Sequence, residues 1–265
     1  MRRFRIWHQS MAELDVFPAY RDILAARLAR IVGDQADVDL HGTAPGTYDG
    51  VPPIDTLSYP LAFHILLQQV LHNAVRAERE GYDAFVISSF TEPFLTEARS
   101  AVDIPVVAMP ESTLLTACSV GALSAVITVN PEIAWIARGI VARHGLQQRV
   151  AGIYPLDPPV AEAAIVRAFN DPDELLASFR AAAATAVAAY ADVLIPAEGI
   201  LNEVCVAHGV SEVNGASVMD GVGVTFEHAL MMCRLRAAGL HAGRRWTYRK
   251  PSAQTLARLF AENGL

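Results

Sequence analysis

Two segments of this 265-residue chain follow the same plan, and that repetition limits what the chain can fold into. Tyr82–Leu95 reads YDAFVISSFTEPFL, and Tyr190–Leu201 reads YADVLIPAEGIL. Each has an Asp, a short β-prone apolar run, and a break into small and polar residues before a helical stretch. Six residues beyond each Asp, Asp83 leads to Ser89 and Asp192 leads to Glu198. Both positions fall at the carboxyl end of a buried strand, where open α/β sheets place their chemistry. Two such strand ends from two halves of a chain imply two pseudo-symmetric lobes, with Ser89 and Glu198 facing one small substrate across a cleft.

The rest of the sequence alternates strand and helix signals. Strands are expected at 4–7, 36–40, 84–87, 105–108, 123–129, 150–153, 193–195 and 216–219. Helices are expected at 19–32, 59–80, 93–100, 111–121, 131–144, over 160–190 with a break near Asp171-Pro172-Asp173, from Gly199, at 221–238 and at 254–262. Alternation at this spacing argues βαβ units and parallel sheets. The strands lack polar alternation, as strands covered on both faces do. The fold class is therefore α/β, with each lobe a parallel sheet flanked by helices. Residues 1–108 plus 218–265 are expected to form one lobe and 109–217 the other.

Composition and missing motifs remove several function classes. A net charge of −7 leaves no basic face for nucleic acid. The chain has a single lysine, Lys250, in the tail RRWTYRK, where neither a Schiff base nor a phosphate loop fits. GxGxxG after the first strand, GxxxxGK[ST], GxSxG, HExxH and paired CxxC are all absent. No cofactor and no metal are expected. No apolar run reaches the length of a membrane span, and the start MRRFRIWHQSM lacks a signal-peptide core. Three cysteines without CxxC spacing, Cys118, Cys205 and Cys233, read as reduced packing residues of a cytoplasmic protein. The expected partners are a small-molecule substrate and further copies of the chain in a homo-oligomer.

Four stretches resemble the aspartate/glutamate/hydantoin racemase superfamily: GYDAFVISSFTEPFLTEARSAVDIPVVAMPE, LLTACSVGALSAVITVNPE, YADVLIPAEGI and VMDGVGVTFEHAL. The resemblance implies two pseudo-symmetric α/β lobes and cofactor-independent chemistry beside a carboxylate or carbonyl. It also implies a cysteine at the end of each equivalent strand, one taking a Cα proton and the other returning it. At those two positions this chain has Ser89 and Glu198. Where the family has an Asn-Pro-Asn-like element, it has Trp7-His8-Gln9-Ser10.

A serine hydroxyl is too weak an acid to replace a thiol in proton transfer. It can act as a nucleophile if a base activates it, or it can orient a carbonyl. A glutamate is a competent general base, more so when burial raises its pKa. These substitutions favour hydrolysis of a small carboxylate-bearing cyclic amide of the hydantoin or thiohydantoin type. In that reading Glu198 is the base and Ser89 the nucleophile or orienting group. The alternative is a racemase or isomerase using a non-cysteine acid/base pair in which Glu198 works with a partner such as His8. A third reading is a binding protein that kept the site and lost the chemistry. The candidate catalytic residues are Ser89, Glu198 and His8. The candidate substrate-binding residues are Gln9, Ser10, Phe90, Thr91, Glu111, Ser112, Thr128, Asn130 and Gly199. Glu92 reads either as a second carboxylate of the site or as a helix cap.

Overall fold

The computed structural model describes residues 2–262. The chain divides into two compact units, one of Met1–Ser88, Pro93–Ala108 and Phe226–Leu265, the other of Ser89–Glu92 and Met109–Thr225. Unit 1 is built from β1 (Phe4–Gln9), α1 (Pro18–Val32), β2 (Ala36–His41), α2 (Pro53–Leu57), α3 (Pro60–Leu66), α4 (Gln69–Arg79), β3 (Ala84–Ile87), α5 (Leu95–Ala101) and β4 (Val106–Ala108). Unit 2 holds α6 (Met109–Val120), β5 (Ser124–Thr128), α7 (Pro131–Arg143), β6 (Val150–Pro155), α8 (Glu162–Arg167), α9 (Asp173–Ala188), β7 (Val193–Pro196), α10 (Gly199–Ala207), β8 (Glu212–Val213) and β9 (Ala216–Val218). Next come α11 (Gly221–Ala237), whose first residues count with unit 2, and α12 (Ala253–Glu262) in unit 1.

The two sheets repeat one topology. Unit 1 has the order β2-β1-β3-β4, all parallel. Unit 2 has β6-β5-β7-β9 in parallel, with β8 added antiparallel at the edge. In this correspondence β3 matches β7, the two strands of the repeated segments. Both are buried at every position, which is why neither shows polar alternation. In unit 1, Trp7, Phe85 and Ile87 of the sheet share one apolar cluster with Val70 and Ala74 of α4 and Leu95 and Ala98 of α5.

The repeated aspartates have a structural job at the opposite end of these strands from the site. Asp83 Oδ2 accepts from the Arg5 N–H at 2.9 Å, while the Asp83 N–H donates to the Arg5 carbonyl at 2.7 Å. Asp192 Oδ2 accepts from the N–H groups of Ala122 and Leu123 at 2.8 and 3.1 Å, and its own N–H donates to the Leu123 carbonyl at 2.8 Å. Each carboxylate thus ties the start of its strand to the start of the neighbouring one. A one-residue slip would move every side chain to the other face.

Several boundaries differ from the sequence expectation. Strand β1 runs on to Gln9, so His8 and Gln9 lie within it rather than after it. The single helix expected over 59–80 is two, parted at Leu67-Gln68. The Gln69 side chain holds the break, its Nε2 donating to the Leu66 carbonyl at 2.7 Å and its Oε1 accepting from the Ala44 N–H at 2.7 Å. Strand β8 was not expected. It pairs with β9 through Asn214 and Gly215, both at positive φ (51° and 85°), as a tight Asn-Gly hairpin requires. Residues 89–92 and 218–225 count with unit 2, whereas the sequence grouped them with the other lobe. Their hydrogen bonds to unit 2 residues, described below, account for this.

Losing either aspartate clasp exposes unpaired strand N–H groups, whereas the Arg3–Asp37 ion pair is half-exposed on both sides. Asp83→Ala and Asp192→Ala are each expected to cost about 1–2 kcal/mol in urea unfolding, and Asp37→Ala less than about 0.5 kcal/mol. Equal costs for all three would show that the clasps contribute no more than a surface pair.

Candidate active site

Strand β7 ends at Pro196, and two residues later Glu198 turns the chain into α10. Glu198 is the N-cap of that helix: its backbone is extended (φ −157°, ψ 139°) and its Oε2 accepts from the Leu201 N–H at 2.7 Å. The carboxylate is therefore part of the helix cap. The residue keeps some accessible surface. Desolvation nevertheless pushes its pKa above the ordinary value, against the pull of the N–H groups of Leu201, Ile200 and Gly199. A carboxylate that is desolvated yet held by a helix N-terminus has the two properties a general base needs, a raised pKa and a fixed position.

Strand β3 ends at Ile87, and Ser89 lies at the matching position. Its Oγ is 2.9 Å from Thr91 Oγ1 and accepts from the Thr91 N–H at 3.2 Å. This local turn occupies the hydroxyl, and among the described residues no histidine or carboxylate is bonded to it. A serine nucleophile needs an adjacent base. Here the partners of the hydroxyl are the hydroxyl and N–H of Thr91.

The turn continues into Glu92, which is buried and has φ 48°, a left-handed conformation uncommon outside glycine. Glu92 is not a helix cap, since the N-cap of α5 is Phe94 and makes no side-chain cap bond. Its carboxylate oxygens lie 2.9 and 2.8 Å from His144 Nε2, and Arg143 is 3.7 Å away.

Within unit 2, the turn that carries Phe90 and the helix that Glu198 caps both reach the start of α11. A methyl group placed on Gly221 would lie 3.3 Å from Thr113 Cγ2, 3.4 Å from Asn202 Oδ1 and 3.9 Å from Phe90 Cε2. Asn202 is fully buried in α10. Its N–H donates to the Glu198 carbonyl at 2.9 Å, and its Oδ1 accepts from the Gly221 N–H at 2.7 Å. Phe90, beside Ser89, is thus close to the residue that ties the Glu198 turn to Gly221. Asp220 caps α11, its Oδ1 accepting from the Gly223 N–H at 2.9 Å. Asn202 and Thr113 were missed in the sequence because each sits inside a helix without a motif.

The remaining candidates divide by unit. In unit 2, Glu111 opens α6 and its Oε1 lies 3.8 Å from His144 Nδ1. Ser112 is fully buried behind it. Thr128 is fully buried and its hydroxyl donates to the Asn130 carbonyl at 3.0 Å. Asn130 caps α7, its Oδ1 accepting from the Ile133 N–H at 2.8 Å. Gly199 opens α10. In unit 1, the Gln9 amide is fully used: it accepts from Trp7 Nε1 and Asn73 Nδ2 at 3.1 and 2.9 Å, and donates to the Ser10 and Gly42 carbonyls at 2.9 and 3.1 Å. No lone pair or proton of that amide is left over. Ser10 is buried and its Oγ accepts from the Ala12 N–H at 3.0 Å. His8 is 1% exposed, stacks on Phe226 at 6.1 Å between ring centroids, and has no hydrogen-bond partner for its Nδ1 among the described residues. Desolvation lowers its pKa to about 3, with the nearby His41 adding to the effect. An imidazole that stays neutral is a poor proton donor, and this environment is that of a core histidine.

The cysteines lie on helices, Cys118 on α6, Cys205 on α10 and Cys233 on α11. Burial pushes both Cys205 and Cys233 up to about 12, far from the reactive thiolate range. Among the described residues no group of three or more His, Cys, Asp or Glu could hold a metal ion. No described helix is long and apolar enough to cross a membrane.

Two units of one sheet topology, with Ser89 and Glu198 each six positions past a clasping aspartate, define a class of α/β protein with an internal repeat. Residues 62–229 match the family model described as Asp/Glu/Hydantoin racemase, and the chain belongs to that family. A hydantoin racemase from Pseudomonas sp. (strain NS671) is 36% identical over 90 residues, which is 34% of this chain and 36% of that protein. The matched part is thus about a third of that relative's length. The structure of an allantoin racemase from Klebsiella pneumoniae superposes with a TM-score of 0.73 at 21% identity, covering 94% of each chain. That of an allantoin racemase from Pseudomonas fluorescens gives 0.67 at 18% identity, covering 94% of this chain and 97% of the other. At these identities the structures establish a shared fold.

The His8 environment has a consequence for stability. An imidazole with a folded pKa of about 3 and an ordinary value of 6.5 takes up protons on unfolding. Its contribution is complete above pH 6.5 and is lost as the pH falls, by about 1.4 kcal/mol per unit between those values. Desolvation also lowers His41 and His72, which share the slope. His8→Leu is expected to flatten the fall in urea-unfolding stability between pH 7.5 and 5. An unchanged slope would mean that the imidazole is solvated.

Proposed function

We propose that this chain is a cofactor-independent racemase or isomerase that exchanges the proton on a carbon next to a carbonyl of a small hydantoin-like ring, with the Glu198 carboxylate as its base. The observation that carries this is Glu198 itself, at the end of β7, partly accessible, with its pKa raised by desolvation and its position fixed by the Leu201 N–H at 2.7 Å. Membership of the racemase family and the partial match to a hydantoin racemase support the reaction and substrate class. The hydrolytic reading favoured by the sequence has no counterpart among these relatives. It is weakened further because, among the described residues, no base is bonded to Ser89. Ser89 then orients the substrate carbonyl and stabilises the enolate oxygen as negative charge builds there. His8 is left out of the acid/base pair by its burial and lowered pKa.

The two strand ends are chemically unequal. A glutamate takes and returns a proton readily on its own face, while the opposite face has only a hydroxyl, a slow proton donor. Exchange with retention therefore outruns inversion. In D₂O with a single enantiomer of 5-methylhydantoin, deuterium is expected to enter C5 faster than optical rotation is lost, and the ring is expected to stay closed. Glu198→Gln should slow the wash-in by a factor on the order of 10² or more. Ser89→Ala should retain measurable exchange. Ring opening as the main product, or wild-type wash-in by Glu198→Gln, would overturn the proposal.

A further inference from the structure

We infer that His144 is a positioning residue for the Ser89 turn, acting through the buried carboxylate of Glu92. The inference rests on reading Ser89 and Glu198 as the site. Glu92 follows Ser89 by three residues, and its N–H reaches back toward the Ser89 carbonyl at 3.4 Å. Its side chain is fully buried, and a buried carboxylate has to be paired. The pairing comes from the residue just past the end of α7: His144 Nε2 lies 2.9 and 2.8 Å from the two Glu92 oxygens, and the ring is itself 12% exposed. On the far side of the ring Nδ1 is 3.8 Å from Glu111 Oε1, at the start of α6. Arg143, at 3.7 Å and half-exposed, adds a cation on the surface side.

The backbone shows what this pairing works against. Glu92 at φ 48° and Phe94 at φ 55° both sit in the left-handed region, on either side of Pro93. Two non-glycine residues in that conformation persist only where their surroundings hold them. Glu92 is held by His144, and the turn holds Ser89 by the Thr91 hydroxyl and N–H. The ring between Glu92 and Glu111 thereby ties the Ser89 turn to α6 and α7, the elements that carry Glu111 and Asn130.

The turn can be read without any substrate by a thiol introduced at Ser89→Cys, in a background carrying Cys118→Ser. Alkylation by iodoacetamide is followed by peptide mass, with buried Cys205 and Cys233 reporting global opening. His144→Ala is expected to raise the alkylation rate at position 89 at least tenfold while leaving Cys205 and Cys233 unchanged. His144→Gln, whose amide can still donate to Glu92, should recover most of the protection. If His144→Ala does not fold, His144→Asn, too short to reach Glu92, should behave as described for alanine. An unchanged rate at position 89, or a rise shared equally by all three thiols, would overturn the inference. Because labelling involves no turnover, that failure is distinct from a failure of the exchange assay.

Discussion

The clasp between an aspartate carboxylate and the backbone of the neighbouring strand is the constraint on which both sheets rest. It occurs twice, at Asp83 against Arg5 and at Asp192 against Ala122 and Leu123. A parallel strand pair has no tight turn to set its register, so something else must. Here a charge-assisted bond at the amino end fixes it, and a rigid, fully buried strand carries that register to the carboxyl end. Ser89 and Glu198 inherit their positions from bonds made six residues earlier. The repetition in the sequence is therefore a record of register control as much as of chemistry.

What the chain does with the two positions depends on how each turn handles its polar groups. At Glu198 the helix N-terminus holds the carboxylate while desolvation raises its pKa, and the two effects oppose each other. A thiolate at such a cap would be stabilised by the same N–H groups. A carboxylate at such a cap has a different proton affinity. At Ser89 the hydroxyl is absorbed in a local turn, and the hydrogen-bonded pair of Glu92 and His144 lies one step behind it.

Much of this was legible in the sequence. The alternation of buried strands with helices gave the two parallel sheets, because residues such as Ala84–Ile87 and Val193–Pro196 show the pattern of strands covered on both faces. The Glu198 turn was legible because Gly199 after a polar residue marks a helix start. The break between α3 and α4 was not, since Leu66-Leu67-Gln68-Gln69 contains no glycine or proline and the break depends on a side-chain bond to distant Ala44. The β8–β9 hairpin had its signal in Asn214-Gly215, but each strand is too short to show alternation. His8 and Gln9 were read as site residues from their place after a strand. The structure extends that strand by two residues and buries both. His144 gave no signal, because its partner lies 52 residues away and only the fold brings them together.

The central claim is that a carboxylate, not a thiol, moves the proton. The pH dependence of kcat/KM for deuterium wash-in at C5 of 5-methylhydantoin tests it most directly, because it reports the ionisation of the free enzyme's base. The account predicts a single acid limb, with its midpoint above the ordinary glutamate value as the desolvation of Glu198 requires, and a flat profile through about pH 8–9 where ordinary thiols ionise. A rate that instead rises through the thiol range and is abolished by iodoacetamide would contradict it.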